Sequence, residues 1–175
     1  MLFPRISTPK RMTMDFGTVS EKLMGMDDAT WRRHANPWSG WSRVATLPAL
    51  ALAIWSRVWI GWWALALVAA VLLWTWLNPR LFPEPRSLDN WMSRGVMGER
   101  IWLARKREPI PAHHARMANL LNGLSALAMV PFAWGLWQLG IWPTVFGMAV
   151  SMLAKLWFVD RMVTLRRIAE GQEGG

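Results

Sequence analysis

Three histidines and one glutamate are the residues of this chain with the greatest potential for chemistry. His34, His113 and His114 are the only histidines in 175 residues, and each comes shortly before a strongly apolar stretch. Glu99 falls near the centre of the apolar arc of a predicted amphipathic helix. A carboxylate in that position must be paired or protonated, because burying it alone as an anion costs too much free energy. Glu99 is therefore the candidate catalytic acid or base.

A metal site is one interpretation of these residues. Two imidazoles and a carboxylate can hold zinc or non-haem iron. However, the chain has no HxxxH or HExxH spacing, and His113 and His114 on one helix would point about 100° apart. The absence of cysteine excludes disulfides, iron–sulfur clusters and thiolate ligands. We predict no resident metal or other cofactor, with a metal or a pigment at the cytoplasmic face as the alternatives.

Small-ligand binding is a second interpretation, and a purely structural role is the third. In the structural interpretation, Glu99 pairs with Arg32, Arg33 or a tryptophan N–H, and the histidines form hydrogen bonds at the membrane interface. Asn119 and Asn122 lie three residues apart on one helix face, where we expect them to hydrogen-bond to neighbouring helices. The candidate ligand-binding residues are His34, Asn36, Glu99, Trp102, His113 and His114.

Four apolar stretches position these residues, at about 38–55, 58–77, 118–139 and 141–159. Each has about the 20 residues that a helix needs to cross the hydrocarbon core. Pro48 is expected to kink the first stretch. Between the second and third, Ser87 is the predicted N-cap of an amphipathic helix at about 88–106, which we expect to lie on the membrane or on the cytoplasmic mouth of the helix bundle.

The basic residues are distributed very unevenly around these stretches. Of 20 lysines and arginines, seven lie at 5–43, eight at 80–116 and four at 155–167, so Arg57 alone lies on the other side if each stretch crosses once. Short loops rich in lysine and arginine stay cytoplasmic. The sequence therefore predicts an all-α protein of the bacterial inner membrane, with two helical hairpins and both termini in the cytoplasm.

Composition agrees with a membrane protein. The chain is 53% hydrophobic, with a mean hydropathy of +0.16, 15 tryptophans and no tyrosine. Tryptophan is enriched at membrane–water interfaces. The net charge of +9 fits attraction to anionic lipid headgroups rather than nucleic acid, since no nucleic-acid-binding motif accompanies it. Residues 1–26 are predicted to be a disordered basic tail and 168–175 a flexible C-terminal tail.

Three segments resemble an uncharacterised family of small bacterial and archaeal membrane proteins. They read DDATWRRHANPWS at 27–39, NPRLFPEP at 78–85 and GERIW at 98–102. The resemblance extends over roughly 27–167. It implies the same multi-pass topology and implies no reaction.

The function expected from the sequence is a non-enzymatic accessory or scaffold protein, which packs against a larger membrane complex or against itself. The motivating observation is a tryptophan-rich apolar body with no Asp or Glu inside the predicted spans. The alternative is a membrane enzyme or a ligand- or metal-binding protein with a site around Glu99, His34 and His114. A small dimeric exporter is a third possibility, which requires a polar path that these spans do not show.

Overall fold

A computed structural model describes residues 28–171, and within this range the chain is helical with no β-strand. This confirms the predicted all-α class. Asp27 and the predicted N-terminal tail at 1–26 lie outside the described residues, as does most of the predicted C-terminal tail. Of that tail, residues 168 and 169 continue the last helix.

Eight α-helices and one turn of 3-10 helix follow one another in the described part of the chain. They are α1 (Asp28–His34), α2 (Pro37–Val44), α3 (Thr46–Trp55), α4 (Arg57–Ile60), the 3-10 turn (Gly61–Trp63), α5 (Ala64–Leu81), α6 (Trp91–Ala104), α7 (Ala112–Gln138) and α8 (Ile141–Ala169).

Three helical runs are long and apolar enough to cross a membrane: Pro37–Leu81, Ala112–Gln138 and Ile141–Ala169. The first run folds back on itself at Gly61, whose backbone has φ +57° and ψ −129°. Only glycine adopts this region readily, because it has no Cβ. As a result α3 packs along α5, and the buried Ser39 hydroxyl donates a hydrogen bond to Asn78 Oδ1 at 2.6 Å.

The first arm of this hairpin is interrupted at Ala45, between α2 and α3. Pro48 lies in the first turn of α3, where its missing N–H costs no intrahelical hydrogen bond. Where a kink was predicted at Pro48, the structure has the start of a new helix, α3. The second arm begins at Ala64 rather than at about 58, because α4 and the 3-10 turn occupy the hairpin tip.

The third and fourth apolar stretches form one long antiparallel hairpin, α7 and α8, packed through small residues. A Cβ on Gly135 would overlap Thr144, and one on Gly147 would overlap the backbone at Phe132. The two helix backbones therefore approach closely, as is usual between membrane helices. Both helices extend beyond the predicted stretches, since α7 begins at Ala112 and α8 continues to Ala169.

The predicted amphipathic helix is present as α6, with a different N-cap. Asn90 caps it by accepting a hydrogen bond from the Ser93 backbone N–H at 2.9 Å. The Ser87 N-cap prediction is wrong, because the Ser87 hydroxyl accepts from Asp89 N within the preceding turn. Asn90 immediately precedes the helix, so its side chain can accept from the N–H of the third helical residue, which has no acceptor within the helix.

Helix α6 packs across one end of the bundle, between the N-terminal segment and α8. Gly95 and Gly98 face α8 so closely that a Cβ would overlap Val159 or the Met162 carbonyl. Trp91 extends the contact by donating its indole N–H to Asp160 Oδ1 at 3.2 Å. The helix therefore packs against the bundle, mainly on α8.

The opposite end of the bundle holds both hairpin tips. Arg57 Nη2 donates hydrogen bonds to the carbonyl oxygens of Leu136, at 2.6 Å, and of Trp137, at 2.8 Å. These carbonyls belong to the last turn of α7, which has no intrahelical donors for them. Arg57 therefore ties the first hairpin to the second, and it lies at the end away from α1 and α6.

Candidate functional site

A half-open cavity of about 280 Å³ lies where α2, α3, α6, α7 and α8 meet. Apolar side chains form most of its walls. Three ionisable groups join them, and each comes from a different segment of the chain. The lining residues are Gly40, Arg43, Val44 and Leu47 from the first hairpin, Met92, Val96 and Glu99 from α6, Ser125 from α7, and Ser151, Met152, Lys155, Leu156 and Val159 from α8.

Arg43 is fixed at the edge of this cavity by neutral acceptors. Its Nη1 lies 3.0 Å from Nδ1 of His34 and also contacts Nε2 of the same ring. Its Nε donates to the Ser39 carbonyl at 3.3 Å, and its Nη2 to the His34 carbonyl at 3.4 Å. Within residues 28–171, no carboxylate forms an ion pair with Arg43. Its hydrogen-bond partners are therefore neutral, and the negative charge of Glu99 acts on it without a direct ion pair.

His34 is buried, at 6% exposure, and it serves as the acceptor for Arg43. A guanidinium can only donate, so the ring nitrogen that it contacts must carry a lone pair. The pKa of His34 is lowered by its burial first, and then by the positive charges of Arg43 and Lys155. His34 is thus neutral, and it orients the arginine rather than acting as a proton donor.

Glu99 reaches the same cavity from α6 and pairs with Lys155 from α8. The distance between Lys155 Nζ and Glu99 Oε1 is 3.4 Å, and the side chains are 49% and 25% exposed. The ammonium also lies 4.1 Å above the Phe158 ring. The carboxylate on the apolar arc of α6 is therefore paired, as burial requires, but with Lys155 instead of Arg32 or Arg33. Arg32 pairs with Glu84 at 3.3 Å.

The cavity wall between α7 and α8 carries two hydroxyl groups. Ser125 Oγ lies 3.0 Å from Ser151 Oγ and 3.2 Å from the Ser151 carbonyl oxygen. These hydroxyls satisfy one another, which keeps the two helices in contact. They also add hydrogen-bonding capacity to a wall that is otherwise apolar.

Glu99 lines the cavity, and His34 reaches it only through its contact with Arg43, because none of the three histidines is a lining residue. His114 is buried near the start of α7, and its ring centroid lies 4.0 Å from that of the exposed His113. Neither residue lines the cavity. Within the described residues, no three His, Asp or Glu side chains come together in an arrangement that suits a metal ion.

Asn36 and Trp102 hold the fold together around the site. Asn36 caps α2 by accepting from the Trp38 N–H at 2.9 Å, and its amide donates to the Pro83 carbonyl at 3.0 Å. Trp102 packs edge-on against Phe158, with ring centroids 5.4 Å apart. Neither side chain lines the cavity.

The two asparagines of α7 have different surroundings. Asn119 is exposed and Asn122 is partly buried. Within residues 28–171 neither side chain forms a hydrogen bond with another helix, and their predicted role in helix packing stays a prediction.

Sequence reasoning missed Arg43 and Lys155 as site residues. The available signal was that these are the two cations inside apolar stretches, and an ionisable side chain within a membrane helix is a functional candidate by default. Their convergence with Glu99 depends on how the helices pack, which residue spacing does not reveal.

Comparison with known proteins gives a family without an assigned activity. No curated protein and no solved structure matches the chain. A family model described as a family of unknown function, DUF6653, matches residues 16–173. That range contains all three segments on which the sequence resemblance rests. The match covers most of the chain, so this protein belongs to the DUF6653 family.

Proposed function

We propose that this protein is a four-span protein of the bacterial inner membrane that binds a small amphiphilic molecule near the cytoplasmic face. One observation carries the proposal: Arg43, Glu99 and Lys155 come from three separate segments and converge on a single, mostly apolar cavity. Pockets for small ligands typically combine apolar walls with a few polar groups that fix orientation.

The proposed topology is supported by the separation of charge along the bundle. Arg57 lies at the end with the hairpin tips, and the remaining described lysines and arginines lie in segments that connect to the other end. Because basic segments stay in the cytoplasm, the end covered by α6 is the cytoplasmic one. The fold-back of the first helical run at Gly61 supports a count of four spans.

The exposed apolar surface also supports insertion into lipid. Only 6% of the most apolar window of Pro37–Leu81 is buried within the protein. Leu65, Leu72 and Leu73 are each more than half exposed. Water would make this exposure unfavourable by about 25 cal/mol per Å², whereas lipid removes that cost.

The depth of the charged groups argues for a role beyond structure. At about 1.5 Å per residue, Lys155 lies ~21 Å along α8 from Ile141 at the outer tip. The hydrocarbon core is about 30 Å thick, so Lys155 and its partner Glu99 lie below the cytoplasmic headgroups. Charges at that depth destabilise a membrane protein and usually mark a functional site.

Binding, rather than catalysis, is the function that these groups support best. Glu99 is paired with Lys155, and His34 is occupied as the acceptor for Arg43. A general base needs a lone pair directed at the reacting group. The polar groups of the cavity are arranged to hold a ligand in place.

Photolabelling in lipid nanodiscs tests the proposal. The probes are three long-chain alkyl diazirines that carry a carboxylate, a hydroxyl or a trimethylammonium head group. We expect at least one probe to label Leu47, Met152 or Leu156, and we expect Leu47→Trp to reduce that labelling by filling the cavity. Leu52→Trp is the matched control, because Leu52 lies on the same helix and is 69% exposed. Labelling confined to outward residues such as Leu153 contradicts the proposal.

A second candidate function is the scaffold role, as a homo-oligomer. The observation that favours it is an exposed face of α7 on which Asn119 is followed four residues later by Gly123, with no heavy atom within 4 Å of where a Cβ would stand on Gly123. Small and polar residues on an outward face allow close helix–helix contact in membranes. A second copy of the chain, packed on this face, satisfies the Asn119 amide.

Cysteine cross-linking tests this second candidate cleanly, since the chain has no native cysteine. Gly123→Cys in native membranes should form a disulfide-linked dimer on oxidation. The control is Leu72→Cys, on the exposed side of α5, which should remain monomeric. Equal cross-linking of the two variants would mean that collisions, and not a specific interface, produce the dimer.

A further inference from the structure

We infer that the ligand of the cavity is an anionic amphiphile, whose acidic head group binds between Arg43 and Lys155 and shares Lys155 with Glu99. The inference rests on the proposed binding function and specifies its ligand class. A long-chain carboxylate or a lipid phosphate has the chemistry required.

The first argument is the charge balance of the cavity. Arg43 and Lys155 contribute two positive charges, and Glu99 contributes one negative charge. The Glu99 carboxylate contacts Lys155 at 3.4 Å, whereas the hydrogen-bond partners of Arg43 within residues 28–171 are the neutral groups of His34 and Ser39. One positive charge is therefore uncompensated in a mostly apolar site. A monoanion brings the cavity to neutrality and removes the cost of an unpaired buried charge.

The second argument is the strength of the available contacts. The Lys155–Glu99 pair is long for a charge-assisted hydrogen bond, which is usually about 2.7–2.9 Å. Both side chains are partly exposed, so Lys155 is accessible to a second partner. The Lys155 ammonium has three N–H donors and can bind an incoming anion together with Glu99, and a guanidinium is well shaped to bind a planar carboxylate or a phosphate.

The third argument is the position of the entrance. The Lys155 side chain is 49% exposed although it lines the cavity. It also lies about 21 Å along α8 from Ile141, below the cytoplasmic headgroups. A ligand that enters beside Lys155 therefore comes from the inner leaflet rather than from water.

The fourth argument is size. A volume of about 280 Å³ corresponds to roughly nine water molecules at ~30 Å³ each. That space accepts an acidic head group and the first part of one acyl chain. The rest of the chain then lies in the bilayer beyond the entrance. The apolar walls formed by Val44, Leu47 and Leu156 match the segment of chain next to the head group.

The experiment compares the same three alkyl diazirine probes in phosphatidylcholine nanodiscs. We expect the carboxylate probe to label the cavity at least fivefold more than the hydroxyl and ammonium probes. An excess of oleate should compete with it, and an excess of acetate should not, which separates a membrane amphiphile from a soluble anion. If all three probes label the cavity equally, the charge inference is overturned and the binding function stands. If none labels it, both are wrong.

Two variants with opposite expected effects keep the test sharp. Lys155→Met should weaken labelling by the carboxylate probe about tenfold, because a charge-assisted hydrogen bond is lost. Glu99→Gln should strengthen it severalfold, because the competing carboxylate is removed. Lys106→Met and Glu108→Gln are the matched controls on the exposed loop after α6. Weakening in both site variants, or no change in either, overturns the inference. If one of the two variants unfolds in detergent, the other variant alone provides the test.

Discussion

Ser39 and Asn78 are both completely buried, and they join the two arms of the first hairpin through a hydrogen bond of 2.6 Å between Ser39 Oγ and Asn78 Oδ1. The amide of Asn78 also donates to the Ser42 hydroxyl at 2.7 Å. This small polar network lies one turn from Arg43, so it sets the position of the arginine at the cavity.

We predict that Asn78→Leu lowers the free energy of unfolding by about 2 kcal/mol, because the buried Ser39 hydroxyl and the partly buried Ser42 hydroxyl both lose their bond to the amide. Thermal unfolding in mild detergent measures the effect. Asn119→Leu is the control, since Asn119 is exposed and its replacement should leave the unfolding temperature nearly unchanged. Equal stability of the two variants contradicts a structural role for the network.

The position of Arg57 at the hairpin tips predicts a specific labelling pattern. Trp62→Cys, at a side chain that is 86% exposed, should react with a membrane-impermeant maleimide added to intact cells. Glu108→Cys, in the loop after α6, should react only after the cells are permeabilised. The label is read on the purified chain, where the introduced thiol is the only one, because the chain has no native cysteine. The reverse pattern excludes a cytoplasmic position for the cavity.

His34 predicts a loss of stability in acid. Because its pKa is lowered by burial and by the charges of Arg43 and Lys155, the folded protein binds fewer protons than the unfolded chain below about pH 6.5. Stability is therefore fully present above that pH and falls as the pH decreases, by up to about 1.4 kcal/mol per pH unit. Unfolding temperatures measured between pH 7.5 and 5 should show this decline.

Two variants identify the residue responsible for the acid effect. His34→Gln keeps an acceptor for Arg43 but does not titrate, so its unfolding temperature should fall less steeply with decreasing pH. His113→Gln removes an exposed imidazole and should retain the wild-type slope. Parallel profiles for the wild type and for His34→Gln would assign the acid sensitivity to another group.

The sequence predicts the helical segments well because hydropathy and periodicity are local properties. The apolar stretch at 58–77, for example, lies entirely within the observed helical run Pro37–Leu81. The long extensions of α7 and α8 were missed, since Met162 and Leu165 are buried among charged neighbours and the apolar run alone ends at 159. The N-cap of α6 was predicted at Ser87 instead of Asn90, because serine and asparagine are both good N-cap residues.

Only some of the site residues could be predicted from the sequence, because the contacts between them are not local. Glu99 was identified from its place on an apolar helix face, and His34 from its residue type. Their link through Arg43 depends on tertiary packing, in which Gly95 and Gly98 let α6 approach α8. Two glycines within a helix do not reveal which helix they will face. The partner of Glu99 therefore could not be chosen among the many cations of this chain.

That close approach gives the last prediction. A Cβ at Gly98 would overlap the backbone carbonyl of Met162, which cannot move without shifting α8. We predict that Gly98→Ala lowers the free energy of unfolding by about 3 kcal/mol, as overpacking of a rigid contact does. It should also weaken carboxylate-probe labelling, because α6 carries Glu99 and the wall residues Met92 and Val96.

The matched control is Gly123→Ala, on α7, where nothing lies within 4 Å of the new methyl group. Alanine is the better helix former, so this variant should keep or gain up to about 1 kcal/mol of stability. Labelling of the cavity should be unchanged in it. A Gly98→Ala protein with wild-type stability and labelling would show that α6 does not need its close contact with α8 to form the site.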